Sequence, residues 1–301
     1  MMGGVTAFAV EEVACPCGSH GPIRDVFRTE TRRYVECLGC GLVFRNPRPI
    51  ADLVTSFYRD EYDGAYGRAE GDSDRRSVFE SVLRHVECYR RSPGRLLDVG
   101  CGDGDFLLMC RARGWSCFGV ELSTEAAARA AARGLTMLPP DWVQTGPSSD
   151  ECVWAYDVIT LINVLETVPD PLAVLRRVRA ALAPNGLIAV RVSNGAFHLA
   201  LRRPARWVRA QHQQAFHLFV YSPQALRRLI EAAGLRPVSV RNSRPSRSQV
   251  HGTESRLRHW IWRIGGSALW GLAQAAYGVS GGRVVWAPSF ELVAVSGSSA
   301  P

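Results

Sequence analysis

Between residues 96 and 106 the chain reads LLDVGCGDGDF: an apolar run, three glycines in five residues, and the start of a helix. A strand that passes through glycines into a helix opens a parallel crossover unit, which obliges the chain to supply further strands and helices in alternation. It does so. After RLLDVG and DFLLMCRARG come the strand WSCFGVEL, the helix STEAAARAAARG with a Ser/Thr cap and a glycine stop, and the short strand LTML. AYDVITLINVLE reads as a fourth strand and DPLAVLRRVRAALAPNG as a helix with apolar residues at helical spacing. LIAVRV, SPQALRRLIEAAG and LRPVSVR continue the alternation, and SFELVAVSG closes the chain as a strand. The predicted fold class is α/β, with a Rossmann-like parallel sheet.

The loop itself selects its ligand. A dinucleotide fold places glycines in the spacing GxGxxG, so that the helix can pack against the strand. Here the glycines fall at 100, 102 and 104, and Asp105 stands where that pattern requires a glycine. Carboxylates at Asp98, Asp103 and Asp105 repel a pyrophosphate and suit a cofactor that carries an ammonium and a sulfonium. About one crossover unit later, FGVEL puts Glu121 at the end of the second strand, where a carboxylate accepts from the hydroxyls of a ribose. These features together describe S-adenosylmethionine (SAM).

The ordered series LLDVGCGDGDF, GVELS and YDVITLINVLETVPDP…LRRVRAALAPNGLIAVRVSN resembles the successive motifs of class I SAM-dependent methyltransferases over roughly residues 93–240. The resemblance implies a seven-stranded sheet with its last strand antiparallel, and SAM lying over the C-terminal ends of the first strands. It implies that Asp98, Gly100 and Gly102 face the methionine part, that Glu121 holds the ribose and that Leu122 lies against the adenine. Asp141 in LPPDW is a candidate for the adenine amine, and Asn163 lies beside the cofactor. Relatives commonly read LEHV where this chain reads LETV: Glu166 matches and is a catalytic candidate, and Thr167 stands in place of the histidine.

Ahead of this region, Cys15 and Cys17 precede Cys37 and Cys40 by a hairpin-length segment. Two short pairs, each followed by glycine, read as a zinc ribbon in which four thiolates hold a structural Zn²⁺. The arrangement CPCG…CLGCGLVF is similar to the zinc-binding N-terminus of sugar C-methyltransferases, except that the first pair is CxC where CxxC is usual. The alternative is four free buried cysteines. Cys88, Cys101, Cys110, Cys117 and Cys152 read as small apolar core residues.

Methyl transfer needs alignment and, for a hydroxyl or acidic C–H, a base. The stretch RAQHQQAFHLFVYSP offers His212, His217 and Tyr221, and the resemblance favours His217 as the base; a structural histidine is the alternative. Tyr58, Tyr62 and Tyr66 lie in a loop that covers the cofactor in some relatives.

The net charge of +8 is unevenly distributed. There is no lysine; residues 191–263 hold fourteen arginines against Glu231 and Glu254, which favours an anionic partner near the C-terminal half. The expected acceptor is a small, anionic molecule such as a nucleotide-linked sugar. A nucleic-acid partner is not expected, although an inactive, nucleic-acid-binding methyltransferase-like module is the rival from another class. Residues 254–278 form a Trp-rich basic helical stretch, with Leu257, Trp260, Ile261 and Ile264 on one face. It is a candidate for packing on the sheet, for dimer contact, or for peripheral contact with a membrane, which leaves a lipid acceptor as a further alternative. The absence of a signal-like N-terminus and the dilute cysteines predict a cytoplasmic setting. The expected organisation is a zinc-ribbon-like module over 1–49, a helical lead-in or lid over 50–92, and the methyltransferase domain over 93–301, with 244–285 inserted before the last strand.

Overall fold

The computed structural model describes residues 9–19, 21–29, 32–61, 73–145, 156–202, 217–244 and 256–296. The N-terminal segment forms five short strands: β1 (Val10–Glu11), β2 (Ile23–Arg28), β3 (Arg33–Cys37), β4 (Val43–Arg45) and β5 (Arg48–Pro49). β2, β3 and β4 make an antiparallel meander, and β1 pairs with β5. Helix Ala51–Ser56 runs into a π-turn over Phe57–Glu61, and helix Ser73–Tyr89 leads to the main sheet.

That sheet contains β6 (Arg95–Val99), β7 (Ser116–Val120), β8 (Thr136–Met137), β9 (Tyr156–Ile162) and β10 (Leu182–Ser193). Beyond the two-residue strand β11 (Phe219–Val220), it is completed by β12 (Leu235–Ser243) and β13 (Ser289–Ser296). The order across the sheet is β12-β13-β10-β9-β6-β7-β8, and β13 is antiparallel to both of its neighbours. The expected seven-stranded α/β sheet with an antiparallel last strand is therefore present. Leu97, Ile159, Ile188 and Leu292 are fully enclosed because helices cover both faces, which is why these strands read as continuous apolar runs. Caps fall where hydroxyl or carboxylate side chains precede the helices: Ser123 accepts from Ala126 N, Asp170 from Ala173 N and Ser222 from Ala225 N.

Two features depart from the sequence reading. The sequence reading sets a zinc-ribbon-like module apart over 1–49, whereas its meander is continued by β11, with Phe219 opposite Phe44 and Val220 opposite Val43. Val35, Leu42 and Phe44 share one buried cluster with Leu218, Phe219, Tyr221 and Leu226, so the ribbon is packed into the larger domain. Cys88 is exposed, not a core residue; Cys101 and Cys110 are buried as expected, Cys117 is half-buried, and Cys152 lies outside the described residues.

Helix Arg256–Val279 packs on β12 through Ala273, which is buried, and Tyr277, whose hydroxyl donates to Val240 O at 3.1 Å. Leu272 and Val279 are exposed, while the side chains of Leu257, Trp260, Ile261 and Ile264 lie outside the described residues. Among the described residues no helix is long and apolar enough to cross a membrane.

Candidate functional site

The glycine loop leaves β6 at the C-terminal edge of the sheet. Gly100 has φ +75 and its Cβ position lies 2.5 Å from Val164 Cγ2, so both backbone conformation and close packing require glycine. Gly102, with φ +55, has open space where a Cβ would stand. Its amide donates to Glu121 Oε2 at 2.7 Å, and Ser123 N donates to Glu121 Oε1 at 2.9 Å. The end of β7 is thereby locked to the loop after β6, and the carboxylate faces the open glycine. This cradle fits a ribose-bearing cofactor, since a carboxylate that takes two backbone N–H groups keeps lone pairs for hydroxyls.

Asp98 is 2% exposed and accepts from Thr160 Oγ1 at 2.6 Å. Burial pushes its pKa up to about 7, and the nearby Glu121 adds to the shift. It is therefore a carboxyl poised to ionise when a cation arrives. The other two loop carboxylates behave differently from the sequence argument. Asp103 is paired with Arg129 at 2.7 Å and Asp105 with Arg133 at 2.6 Å, so both are largely neutralised by the next crossover helix. The i,i+4 arginines of helix Thr124–Ala132 and its cap, read against the loop one unit earlier, were the signal available in the sequence. Leu122 is half-buried beside Glu121, and Asp141 is exposed at the start of the turn Trp142–Thr145.

On the other side of the loop, Asn163 follows β9 with φ +60, a left-handed conformation that asparagine tolerates. Its Oδ1 accepts from Arg191 Nη1. Arg191 is 1% exposed on β10 and also donates to Ser243 Oγ at 2.9 Å and to Arg244 O at 3.2 Å. Sequence reading missed Arg191, because a charged residue in an apolar strand signals a buried network without naming its partners.

Glu166 is buried, Ser193 N donates to its Oε1 at 2.8 Å, and its Oε2 has no hydrogen-bond partner among the described residues. Burial raises its pKa. Its backbone carbonyl accepts from Leu218 N at 2.7 Å and from Phe219 N at 3.2 Å, which docks the 217–221 segment onto the turn after β9. Thr167, in the place of the usual histidine, donates to Val164 O at 2.8 Å. His217 is half-buried, and Tyr34 Oη donates to its carbonyl at 2.8 Å. Burial, with Arg32 and His198 nearby, lowers its pKa to about 4, so the imidazole is neutral at physiological pH. Tyr221 is fully enclosed; its hydroxyl donates to Leu165 O at 3.0 Å and burial raises its pKa, so it braces the same turn and is not placed to exchange a proton. His212, Tyr62 and Tyr66 lie outside the described residues, and Tyr58 packs edge-on against Phe57.

The sulfurs of Cys15, Cys17, Cys37 and Cys40 all lie within 4.8 Å of one another. The CxC pair brings Cys15 Sγ and Cys17 Sγ to 3.0 Å, and Leu42 N donates to Cys40 Sγ at 3.4 Å. Hydrogen bonding from Cys15 lowers the Cys40 thiol to about 5, whereas the same bond raises Cys15. Four buried soft donors converging on one point form a donor set suited to Zn²⁺.

The family model for the methyltransferase domain matches residues 72–240. A ubiquinone biosynthesis O-methyltransferase of Idiomarina loihiensis is 28% identical over 156 residues, which make up 48% of this chain and 63% of that protein. The chain spans about half the length of the curated relatives it matches. Among solved structures, a chain of the Haloferax volcanii complex between the Trm112 methyltransferase activator and a methyltransferase superposes with a TM-score of 0.54. It is 16% identical, covering 81% of this chain and 99% of that one. Magnesium protoporphyrin IX methyltransferase from Synechocystis, solved with S-adenosylhomocysteine, gives a TM-score of 0.52 at 13% identity, covering 82% and 99%. At such identities the likeness is one of fold. With the domain match spanning more than half of its residues and the sheet order in place, this chain belongs to the class I SAM-dependent methyltransferases.

Proposed function

We propose that this chain transfers the methyl group of SAM to an oxygen or carbon of a small anionic metabolite bound over the ends of β9 and β10. The observation that carries the reading is the lock between Glu121 and the Gly102 amide, which aims a ribose-binding carboxylate at an open glycine. When bound, SAM supplies a methyl group on a positively charged sulfur, with the neutral thioether as leaving group. Asp98, Gly100 and Gly102 are assigned to its methionine part, Glu121 to the ribose, Leu122 and Asp141 to the adenine, and Asn163 to the rim nearest the acceptor. His217, unprotonated at neutral pH, is the candidate acceptor of a hydroxyl proton. Glu166 is assigned to positioning, since its carbonyl and carboxylate tie the acceptor segment to β10. Oxygen is favoured over carbon by the O-methyl chemistry in the relative's name.

The four cysteines are assigned one structural zinc ion, held as thiolates. Residues 1–49 then act as a buttress for the acceptor segment, 50–92 as the lead-in, and 93–301 as the transferase domain. The exposed end of helix Arg256–Val279 is the surface assigned to contact with a second copy or a membrane.

Calorimetry with SAM and S-adenosylhomocysteine tests the reading: both bind, and Glu121→Ala weakens each by about tenfold or more, as expected for loss of charge-assisted hydrogen bonds. Binding of NAD or ATP in place of SAM overturns it.

A further inference from the structure

At the end of β12 the chain forms a second, basic cleft. Arg84 enters it from helix Ser73–Tyr89, Arg241 from β12, and Arg244 from just beyond that strand; Trp270, Gln274 and Tyr277 form the opposite wall. Only Arg241 has a carboxylate, Glu291 Oε2 at 2.9 Å, and Glu291 is itself buried and shared with Ser81, Ser243 and His85. Among the described residues Arg84 and Arg244 make no ion pair. Arg244 lies over the Trp270 ring, 6.0 Å from its centroid, which holds a planar guanidinium at the cleft wall.

The position of the cleft gives it a role. Ser243 of β12 and Ser193 of β10 both pair with Ser289, so the C-terminal ends of β12 and β10 share one edge of the sheet. The Arg191 guanidinium holds Asn163 Oδ1 on one nitrogen and Arg244 O on another. The basic cleft therefore begins one guanidinium away from the rim of the cofactor cradle.

We propose that this cleft binds a phosphate or diphosphate group of the methyl acceptor, with Arg84 and Arg244 as the residues that recognise it. This rests on the methyltransferase reading and adds the chemical class of the substrate. Guanidinium forks on separate elements match phosphate oxygens, and an acceptor anchored there by its phosphate extends along the sheet edge toward Asn163. The same chemistry serves a soluble phosphate ester and a phosphorylated lipid.

The test uses the full-length chain saturated with S-adenosylhomocysteine, titrated with inorganic pyrophosphate by calorimetry. Arg84→Glu and Arg244→Glu are each expected to weaken pyrophosphate by about tenfold or more. Arg236→Glu, exposed at the opposite end of β12, leaves it unchanged. Arg84→Gln and Arg244→Gln replace either reversal that lowers the melting temperature. Cosedimentation with phosphatidylcholine vesicles with and without phosphatidic acid separates the sources: capture that requires phosphatidic acid and both arginines assigns the phosphate to a lipid, and no capture assigns it to a soluble ester. Pyrophosphate affinity unaffected by substitution of either arginine overturns the proposal. Failure of S-adenosylhomocysteine to bind the wild-type chain overturns the methyltransferase reading instead, and the two results are read separately.

Discussion

A buried carboxyl such as Asp98 is unusual at a cofactor site because burial opposes the charge that a cationic ligand needs. Its burial and the neighbouring Glu121 hold its pKa at about 7, so near neutrality it is only partly ionised in the ligand-free chain. A ligand that carries positive charge binds the ionised form, so proton release accompanies binding. The affinity of the wild-type chain for SAM is expected to rise as pH increases from 6 to 8. In Asp98→Asn, which keeps an acceptor for Thr160, affinity is weaker by about tenfold and flat over that range. Calorimetry at pH 6, 7 and 8 reads both effects, and a wild-type affinity independent of pH contradicts the assignment. His217 carries the second residue-scale expectation. If its imidazole takes the acceptor proton, His217→Ala loses about 10²-fold or more in turnover, while S-adenosylhomocysteine affinity is retained. Unchanged turnover leaves it a structural residue whose carbonyl anchors Tyr34.

At the scale of elements, the ribbon and the acceptor segment form one unit. Phe44 and Phe219 face each other across β4 and β11, and both are fully buried. The cysteines tie the segment ahead of β2 to the turn between β3 and β4, so losing a bound metal should loosen β11 although it is 179 residues away from Cys40 in sequence. The wild-type chain is expected to carry one zinc ion and Cys40→Ser none, read by metal analysis. Amides of 217–221 should then exchange faster, while those of 97–104 stay protected. Exchange confined to the N-terminal meander shows that β11 is held by the larger domain alone. This joint was not legible in the sequence: β11 is two residues long and carries no periodic signal, and five strands of the main sheet separate it from its partner. The crossover units were legible because each strand and helix announces itself locally, by an apolar run, a cap and a glycine stop. Glu121 was legible for the same reason, since a single strand fixes its distance from the loop. Arg191 with Asn163 was not, because that pairing is made between strands that only the sheet order brings together.

Across the whole molecule, the two ends of the site store opposite dependences on pH. Asp98 has its pKa raised from 3.8 to about 7, so it binds a proton in the folded chain that the unfolded chain releases, and its contribution is lost as pH rises toward 7. His217 has its pKa lowered from 6.5 to about 4, so it contributes fully above pH 6.5 and its contribution is lost as pH falls toward 4. Between roughly pH 4 and 6.5 one proton is held by the folded chain and another by the unfolded chain, and the two slopes oppose each other. Removing either residue should unmask the other. Relative to the wild type, the ligand-free Asp98→Asn chain gains stability as pH increases from 4.5 to 6.5, and His217→Gln loses it over the same interval. Each slope approaches about 1.4 kcal/mol per pH unit at its limit. Taking differences against the wild type at each pH cancels the many other titrating groups, and urea unfolding at four pH values between 4.5 and 7.5 supplies them. Slopes of the same sign in the two variants contradict the assignment of a protonated carboxyl to the cofactor side and a neutral imidazole to the acceptor side. Opposite slopes identify, before any substrate is known, a carboxyl that must release its proton to bind a cation and an imidazole already free to accept one.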